Sequence, residues 1–283
     1  MKIAWIGTGI MGYPMVDHLI KAGFEVSVYN RTIKKASSLD ARICTSIKET
    51  VKNADVIVTI VSLPEDVHMV YTEDGIFDHA KNEAICIDMT TSSPSLAREL
   101  HALGKSRGLH CLDAPVSGGD VGAKNQTLTI MVGGDEDVFE SMLPVFQHLG
   151  KTITYVGPAG SGQHMKMTNQ IAVANNLMGA IESLAYAQSV GLDQQTAIHV
   201  LTKGAAGSWQ LQVNGPLIAK QDFTPGFMNI HFIKDLRLVL EEAKKSNVSL
   251  PMVERVLELF ASHTDPSFLH EATIAIYRDY IDH

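Results

Sequence analysis

The sequence is poor in several features that mark particular classes of protein. Its three cysteines (Cys44, Cys86 and Cys111) are odd in number, widely spaced and without a C-x-x-C pair. This pattern argues against a disulfide framework and favours buried thiols in a reducing compartment. No apolar run reaches the ~18 residues that cross a bilayer, and the first residues enter a strand pattern with no sign of a signal peptide. We therefore expect a cytoplasmic protein with no membrane partner.

Positive charge is also scarce. Twenty-three Lys and Arg residues against 31 Asp and Glu residues give a formal net charge of -8 at pH 7. Nucleic-acid binding needs a positive field, so we expect no nucleic-acid partner. The 12 histidines include no H-E-x-x-H and no paired metal-ligand spacing, so we expect no metal.

The chain of 283 residues, 45% of them hydrophobic, has the size of about two globular domains. Its first part alternates helix patterns with strand patterns at residues 3–6, 24–29, 56–61, 85–88, 110–113, 127–132 and 152–156. This alternation predicts an α/β fold with a doubly wound, mostly parallel sheet.

Helical patterns alone follow that part, including one at residues 270–281. Residues 163–190 carry apolar side chains all around, which predicts a long central helix buried on every side. We therefore predict a nucleotide-binding domain at residues 1–162, an interdomain helix at 163–190, and an all-α C-terminal domain at 191–283 for substrate binding and oligomerisation.

The strongest local motif is Gly7-x-Gly9-x-x-Gly12, which follows a strand pattern directly and opens a helix pattern. In a dinucleotide-binding βαβ unit, the first glycine permits a tight turn, the second lets a pyrophosphate approach, and the third packs helix on strand. The free N–H groups of the helix then bind the phosphates. The motif predicts a Rossmann-type domain, with Thr8, Ile10 and Met11 also in the cofactor loop.

The end of the second strand pattern discriminates between the two nicotinamide cofactors. Asn30, Arg31 and Thr32 stand where an Asp or Glu would bind the ribose 2′-hydroxyl of NAD. Asn30 removes the repulsion of a 2′-phosphate, and Arg31 offers a charged fork for it. We predict that NADP is preferred, with NAD possible. The alternative is that Arg31 is only a solvated charge.

Two further segments carry polar groups whose role the residues alone leave open. Ser117, after a strand pattern, could form a nest of N–H groups for a carboxylate or lie in an ordinary turn. Lys166, Asn169 and Gln170 share one face of the long helix. Lys166 is either a desolvated general acid/base or a lysine whose charged end reaches water.

Four motifs in this order resemble one family. They are the glycine motif, the segment from Asp113 to Gly119, Gly160-x-Gly162-x-x-x-Lys166, and Lys234-Asp235-Leu236. The sequence closely resembles the β-hydroxyacid dehydrogenases over essentially its whole length. That family includes 3-hydroxyisobutyrate dehydrogenase and the tartronate, glyoxylate and succinic semialdehyde reductases.

The resemblance implies hydride transfer between the nicotinamide and a short carboxylate-bearing aldehyde or hydroxyacid. It implies Lys166 as general acid/base, and Lys234 close to both nicotinamide and substrate. It also implies a homodimer or homotetramer. Ser117, Gly118 and Gly119 are expected to hold the substrate carboxylate, and Val61, Ser62, Leu63, Pro64, Thr90 and Thr91 to line the cofactor.

Some positions stay open within the resemblance. Either Asn169 or Gln170 could contact the substrate, and Gln126 replaces an expected glycine. Trp209 could close over the substrate or lie in the core. His164 and His231 stand near the two lysines and could tune them, although a surface or supporting role is the more common one.

Two other functions are compatible with the architecture. Imine reductases share it, but they typically carry another residue in place of this lysine, so Lys166 argues against that activity. A non-catalytic NADP(H)-binding module is the other alternative, and the presence of both Lys166 and Lys234 argues against it. The decarboxylating 6-phosphogluconate dehydrogenases have a much larger helical domain than residues 191–283.

Overall fold

The computed structural model describes residues 1–224 and 226–281. Backbone contacts divide the chain into two compact units, Met1–Lys166 and Met167–His283. Within the described part of the chain, no helix has the length and apolar character needed to cross a membrane. The same residues hold no group of three or more His, Cys, Asp or Glu side chains arranged to bind a metal ion.

The first unit is built on one sheet, which has nine strands among the described residues. The strands follow the spatial order β3-β2-β1-β4-β5-β6-β8-β7, and β9 also pairs with β8. Every pairing is parallel except those of β6 and β7 with β8. The strands are β1 Lys2–Ile6, β2 Glu25–Tyr29, β3 Arg42–Ile43, β4 Val56–Thr59, β5 Ile85–Asp88, β6 His110–Asp113, β7 Val116–Ser117, β8 Leu128–Gly133 and β9 Gly150–Gly157.

Helices cover this sheet on both faces, so its central strands bury apolar side chains on both sides. Trp5 and Val58 belong to one apolar cluster, whereas their neighbours Ala4 and Ile57 belong to another. This arrangement confirms the predicted doubly wound α/β fold. The helices are α1 Gly12–Lys21, α2 Ile47–Val51, α3 Pro64–Thr72, α4 Ile76–His79, α5 Pro94–Ser106, α6 Gly119–Lys124 and α7 Glu136–Phe146, with a 3-10 turn at Ile33–Lys35.

One histidine connects two of these helices. Nε2 of His18, on α1, lies 3.0 Å from the carbonyl oxygens of both Ala123 and Lys124, at the end of α6. Carbonyl oxygens only accept hydrogen bonds, so this nitrogen carries the proton. The side chain thereby links the helix that follows the glycine motif to the helix that follows Gly118.

Helices and helical turns make up the regular structure among the described residues of the second unit, apart from an isolated bridge between Met228 and Ala272. Its core includes the buried rings of Phe232, Phe260 and Tyr277. The helical domain after the sheet confirms the predicted order. Its elements are α8 Ser161–Ser189, which begins in the first unit, α9 Gln194–Leu201, a π-helical turn Gln210–Asn214, α10 Gly215–Ala219, α11 Asn229–Lys245, α12 Pro251–Ala261, 3-10 turns Phe268–His270 and Thr273–Tyr277, and α13 Arg278–Ile281.

The predicted burial of the long helix on every side is wrong. The side chains of Met165 and Tyr186 on α8 are 42% and 68% exposed. The polar or small residues Asn175, Asn176 and Gly179 fall on the same exposed side. One face of α8 therefore packs in a core and another does not, although apolar residues occur on both.

The prediction of one helix over residues 270–281 is also wrong. Backbone bonds occupy the start of this segment: Thr273 N donates to Phe227 O, and Asn229 N donates to Glu271 O, both at 3.0 Å. With these two bonds, the backbone around Ala272 is extended and forms an antiparallel bridge with Met228. The chain then turns through 3-10 geometry and reaches α-helix only at α13.

Candidate active site

The glycine loop after β1 has the geometry that its motif predicts. Gly7 has φ +103°, and a Cβ there would lie 2.1 Å from Ile60 O; a Cβ at Gly12 would lie 2.1 Å from Gly7 O. Both positions therefore require glycine. A Cβ at Gly9 would meet nothing within 4 Å, which leaves room for a phosphate beside the N–H groups at the start of α1. Ile10 is exposed, and Met11 occupies the N-cap position of α1 without a capping hydrogen bond from its side chain.

The predicted cofactor-selecting residues lie next to this loop. Oδ1 of Asn30 accepts a hydrogen bond from Thr8 N at 2.9 Å, and its Nδ2 donates to Thr32 O at 2.8 Å. The Arg31 side chain is 88% exposed, and its Nη1 lies 3.8 Å from Oδ1 of Asp66. An ion pair this long and exposed holds a side chain weakly, so Arg31 can turn towards an anion. The pairing with Asp66 was not predicted.

The loops after β4 and β5 lie side by side. Val61 N donates to Oγ1 of Thr90 at 3.0 Å, and Thr90 N donates to Oδ1 of Asp88 at 3.1 Å. The structure thus brings together the two loops that were predicted to line the cofactor. Of their remaining residues, Ser62 and Leu63 are exposed, whereas Pro64 and Thr91 are partly buried.

Lys166 lies beside the predicted carboxylate-binding loop, residues 117–119. It is 7% exposed, and its Nζ donates to Val116 O at 2.8 Å. Ser117 ends β7, and the loop continues through Gly118 (φ +127°) and Gly119 (φ +62°). Consecutive residues in unusual backbone conformations can direct N–H groups towards one anion. An ammonium donor and a candidate anion nest therefore adjoin within the first unit.

A second set of polar groups lies in the second unit. Nδ2 of Asn169 donates to Oε1 of Gln170 at 2.8 Å, and Nε2 of Gln170 donates to Oδ2 of Asp235 at 2.7 Å. Nζ of Lys234 lies 2.9 Å from the other oxygen of Asp235. Asp235 stands inside a quoted motif, yet its central place in this chain of bonds was not predicted.

The remaining candidates have simpler surroundings. Trp209 is 52% exposed, which excludes the core alternative. His164 is exposed, with its Nε2 3.5 Å from Nη1 of Arg98. Burial, and then the charge of Lys234, lower the pKa of His231 below its ordinary value. These surroundings therefore favour the neutral imidazole of His231 over its charged form.

Sequence reasoning also missed two buried carboxyl groups. Asp88 and Asp113 end the adjacent strands β5 and β6 in matching register. Burial raises the pKa of each carboxyl group to about 6, although the hydrogen bonds that each accepts lower it. Asp113 accepts from Gly160 N at 2.8 Å and from Gln163 N at 2.9 Å. Two apolar strand patterns that both end in Asp are the signal that could have revealed them.

Comparison with known proteins identifies the family. Residues 2–157 match the NAD binding domain of 6-phosphogluconate dehydrogenase, and residues 160–278 match the NAD-binding domain described for NADP-dependent 3-hydroxyisobutyrate dehydrogenase. The chain belongs to the β-hydroxyacid dehydrogenase family. The resemblance noted in the sequence is thereby confirmed.

Individual members of this family resemble the chain over nearly its whole length. A probable 3-hydroxyisobutyrate dehydrogenase-like 1, mitochondrial, of Arabidopsis thaliana is 41% identical over 92% of this chain and 79% of its own. A 2-hydroxy-3-oxopropionate reductase of Escherichia coli is 38% identical over 92% and 90%. The solved structure of Mycobacterium tuberculosis 3-hydroxyisobutyrate dehydrogenase with L-serine shares 31% identity, covers 98% of both chains and superimposes with a TM-score of 0.89.

Membership in this family supports NAD(P)-dependent oxidoreductase activity on small hydroxyacids. The open side of the glycine loop at Gly9 fits a dinucleotide, because the backbone there can approach phosphate without a side chain between them.

Proposed function

We propose that this dehydrogenase prefers NADP(H) and interconverts a short β-hydroxyacid and its semialdehyde, with Lys166 as the general acid/base. The observation that carries the proposal is the placement of Lys166. Its buried Nζ donates to Val116 O at 2.8 Å, directly before the 117–119 loop. The relatives named above act, by their names, on 3-hydroxyisobutyrate or 2-hydroxy-3-oxopropionate, both short acids.

The cofactor, when bound, supplies or accepts the hydride at its nicotinamide ring. In the reducing direction, Lys166 as an ammonium stabilises the charge that grows on the carbonyl oxygen and delivers a proton to it. In the oxidising direction, the neutral amine of Lys166 removes the hydroxyl proton. Residues 117–119 hold the substrate carboxylate through their N–H groups, and Lys234 adds positive charge.

We assign the substrate contact on the long helix to Asn169 rather than Gln170. Gln170 is buried, and both ends of its amide are engaged, by Asn169 and by Asp235. Its part is then to support Asn169. Trp209, exposed before the π-helical turn, is assigned to cover the substrate.

The proposed preference for NADP rests on the end of β2. No carboxylate stands at position 30 to repel a 2′-phosphate, and the exposed guanidinium of Arg31 can pair with one. In Arg31→Ala, we expect the ratio of kcat/KM for NADPH to that for NADH to fall by about tenfold or more, as loss of a charged contact predicts. Arg255→Ala, at another exposed arginine, should leave the ratio unchanged. An unchanged ratio in Arg31→Ala would refute the assignment.

The decisive test of function is a substrate panel with matched lysine variants. NADPH oxidation is followed with glyoxylate, succinic semialdehyde, tartronate semialdehyde and a cyclic imine, and NADP reduction with 3-hydroxyisobutyrate and L-serine. We expect turnover of at least one acid and none of the imine. Lys166→Ala should lose roughly 100-fold or more of kcat, as removal of a general acid predicts, yet still bind NADPH. Lys151→Ala, at an exposed lysine, should behave as the unchanged protein.

The other outcomes of this panel would overturn the proposal. Turnover of the imine alone would make the protein an imine reductase, and NADPH binding without any turnover would make it a binding module. Near-normal kcat in Lys166→Ala would remove the role given to that lysine. The homodimer or homotetramer, the cytoplasmic location and the domain borders at residues 162 and 190 stay predictions.

A further inference from the structure

The first turn of α8 fits tightly against the end of β6. Both carboxylate oxygens of Asp113 accept N–H groups of this turn, from Gly160 and from Gln163. A Cβ at Gly162 would lie 2.5 Å from Asp113 O and 2.8 Å from its Oδ2. Because any side chain there would push the turn away, the helix start has little freedom to shift along the strand.

The side chain of Gln163 connects the same turn to a second place. Its Oε1 accepts from Ser92 N at 2.9 Å, and its Nε2 donates to Thr90 O at 2.8 Å. Gln163 is fully buried, and Thr90 and Ser92 are nearly so. One amide thus satisfies a backbone acceptor and a backbone donor of residues 90–92, the loop that follows β5.

This loop continues the connection to the cofactor side. Oγ1 of Thr90 accepts from Val61 N at 3.0 Å, so a hydrogen bond joins the loops after β4 and β5. Both loops are among those proposed to line the cofactor. In the other direction, Lys166 follows Gln163 by three residues in the same helix, less than one turn away.

We propose that Gln163 is a positioning residue, which fixes Lys166 at a set distance from the cofactor loops by clamping residues 90–92 to the first turn of α8. The inference rests on the proposed function, because it concerns the alignment of the proton donor with the cofactor. Gln163 contacts neither reactant in this scheme; it acts through Thr90, Ser92 and the helix.

The amide is the side chain that this position requires. An ionised carboxylate could accept from Ser92 N but could not donate to Thr90 O. A methionine has a similar length and offers neither bond. Each replacement leaves at least one buried backbone group without its partner, and such groups are costly. The loop and the helix turn then separate, or shift to admit water.

The test compares Gln163→Met and Gln163→Glu with Gln126→Met. Gln126 also donates from Nε2 to a backbone carbonyl, that of His148 at 3.1 Å, in the same unit. The three variants and the unchanged protein are assayed for kcat and KM of both reactants, and for NADPH affinity by fluorescence titration. The isotope effect on kcat is measured with NADPH deuterated at the transferred position. Urea unfolding checks that each variant is folded.

For Gln163→Met we expect kcat to fall by about tenfold or more, as displacement of a reacting group predicts. The isotope effect should rise because hydride transfer becomes slower than release, and NADPH affinity should fall. The KM of the acid should change much less. The kcat of Gln163→Glu, measured at pH 8, should fall at least as far as that of Gln163→Met. If Gln163→Met does not fold, Gln163→Glu is compared with the unchanged protein instead. Gln126→Met should keep all these values.

If Gln163 had a purely structural role, its replacement would lower only the unfolding free energy. The first case is that the protein with Gln163 turns over an acid. The inference is then overturned if the folded Gln163 variants keep the same kcat, isotope effect and NADPH affinity. If the unchanged protein turns over nothing, the proposed function fails separately. NADPH affinity then still decides: an affinity equal in Gln163→Met and the unchanged protein would refute the clamp.

Discussion

Two neighbouring glycines of the nucleotide loop should respond to alanine in opposite ways. Gly12 is needed by the fold, because a Cβ there would lie 2.1 Å from Gly7 O and 2.9 Å from Cγ2 of Ile60. Gly9 is not, because a Cβ there would meet nothing. We therefore expect Gly12→Ala to affect folding, and Gly9→Ala to affect cofactor binding.

The magnitudes follow from these distances. Relief of the contact at Gly12 needs a backbone shift of about 1 Å, and overpacking of this kind costs about 1–3 kcal/mol of unfolding free energy. Alanine at Gly9, which has no positive φ, should add about 0.4–1 kcal/mol by restricting the unfolded chain. The two variants should then differ by roughly 1.4–4 kcal/mol.

Urea unfolding and NADPH titration together make the assay. Gly9→Ala should unfold at a urea concentration equal to or above that of the unchanged protein, yet bind NADPH about tenfold more weakly or worse, because its methyl occupies the phosphate approach. Gly179→Ala, at an open position on α8, is the control that should gain stability and keep its NADPH affinity. Gly9→Ala that binds NADPH normally, or that unfolds as early as Gly12→Ala, would refute the reasoning.

The two buried carboxyl groups should also respond differently to amide replacement. Asp113→Asn turns one accepting oxygen into a donor against Gly160 N or Gln163 N, and should cost about 1–3 kcal/mol in urea unfolding. A loss of unfolding free energy below about 0.5 kcal/mol would contradict the pairing of Asp113 with these N–H groups. Asp88→Asn keeps an Oδ1 that can accept both hydrogen bonds made by Asp88, from Oγ1 of Thr59 and from Thr90 N. Burial raises the pKa of Asp88 from 3.8 to about 6. Between these two pH values the folded protein therefore still holds a proton that the unfolded chain has lost. The unchanged protein should therefore lose stability relative to Asp88→Asn as the pH rises from about 4 to about 6, by up to ~3 kcal/mol. A pH-independent difference would show that Asp88 titrates normally.

The parts of the fold that the sequence predicts are those with local signals. Periodic apolar residues and the glycine motif mark β1, α1 and the central strands without any knowledge of the rest of the chain. The two-residue strands β3 and β7 are too short for periodicity, and they form only because a neighbouring strand pairs with them. The exposed face of α8 was missed because apolar and small residues alternate around it, so composition did not distinguish the faces.

The site divides in the same way. Lys166 and Ser117 stand in contiguous motifs, and the sequence could name them as candidates. The partners that fix these motifs in space are distant along the chain: Asp113 and Gly160 are 47 residues apart, and Gln163 and Thr90 are 73 apart. Glutamine or aspartate at such positions looks like any polar residue until tertiary pairing shows that it is buried and fully bonded.

The histidine bridge between α1 and α6 also connects the helices that follow two of the proposed binding loops. α1 begins at the glycine loop, and α6 begins at the loop proposed to hold the substrate carboxylate, so His18 joins the far ends of two binding elements. Because one imidazole bonds to both carbonyl oxygens, its replacement would leave two acceptors at the end of α6 without this donor and would remove the link between α6 and α1.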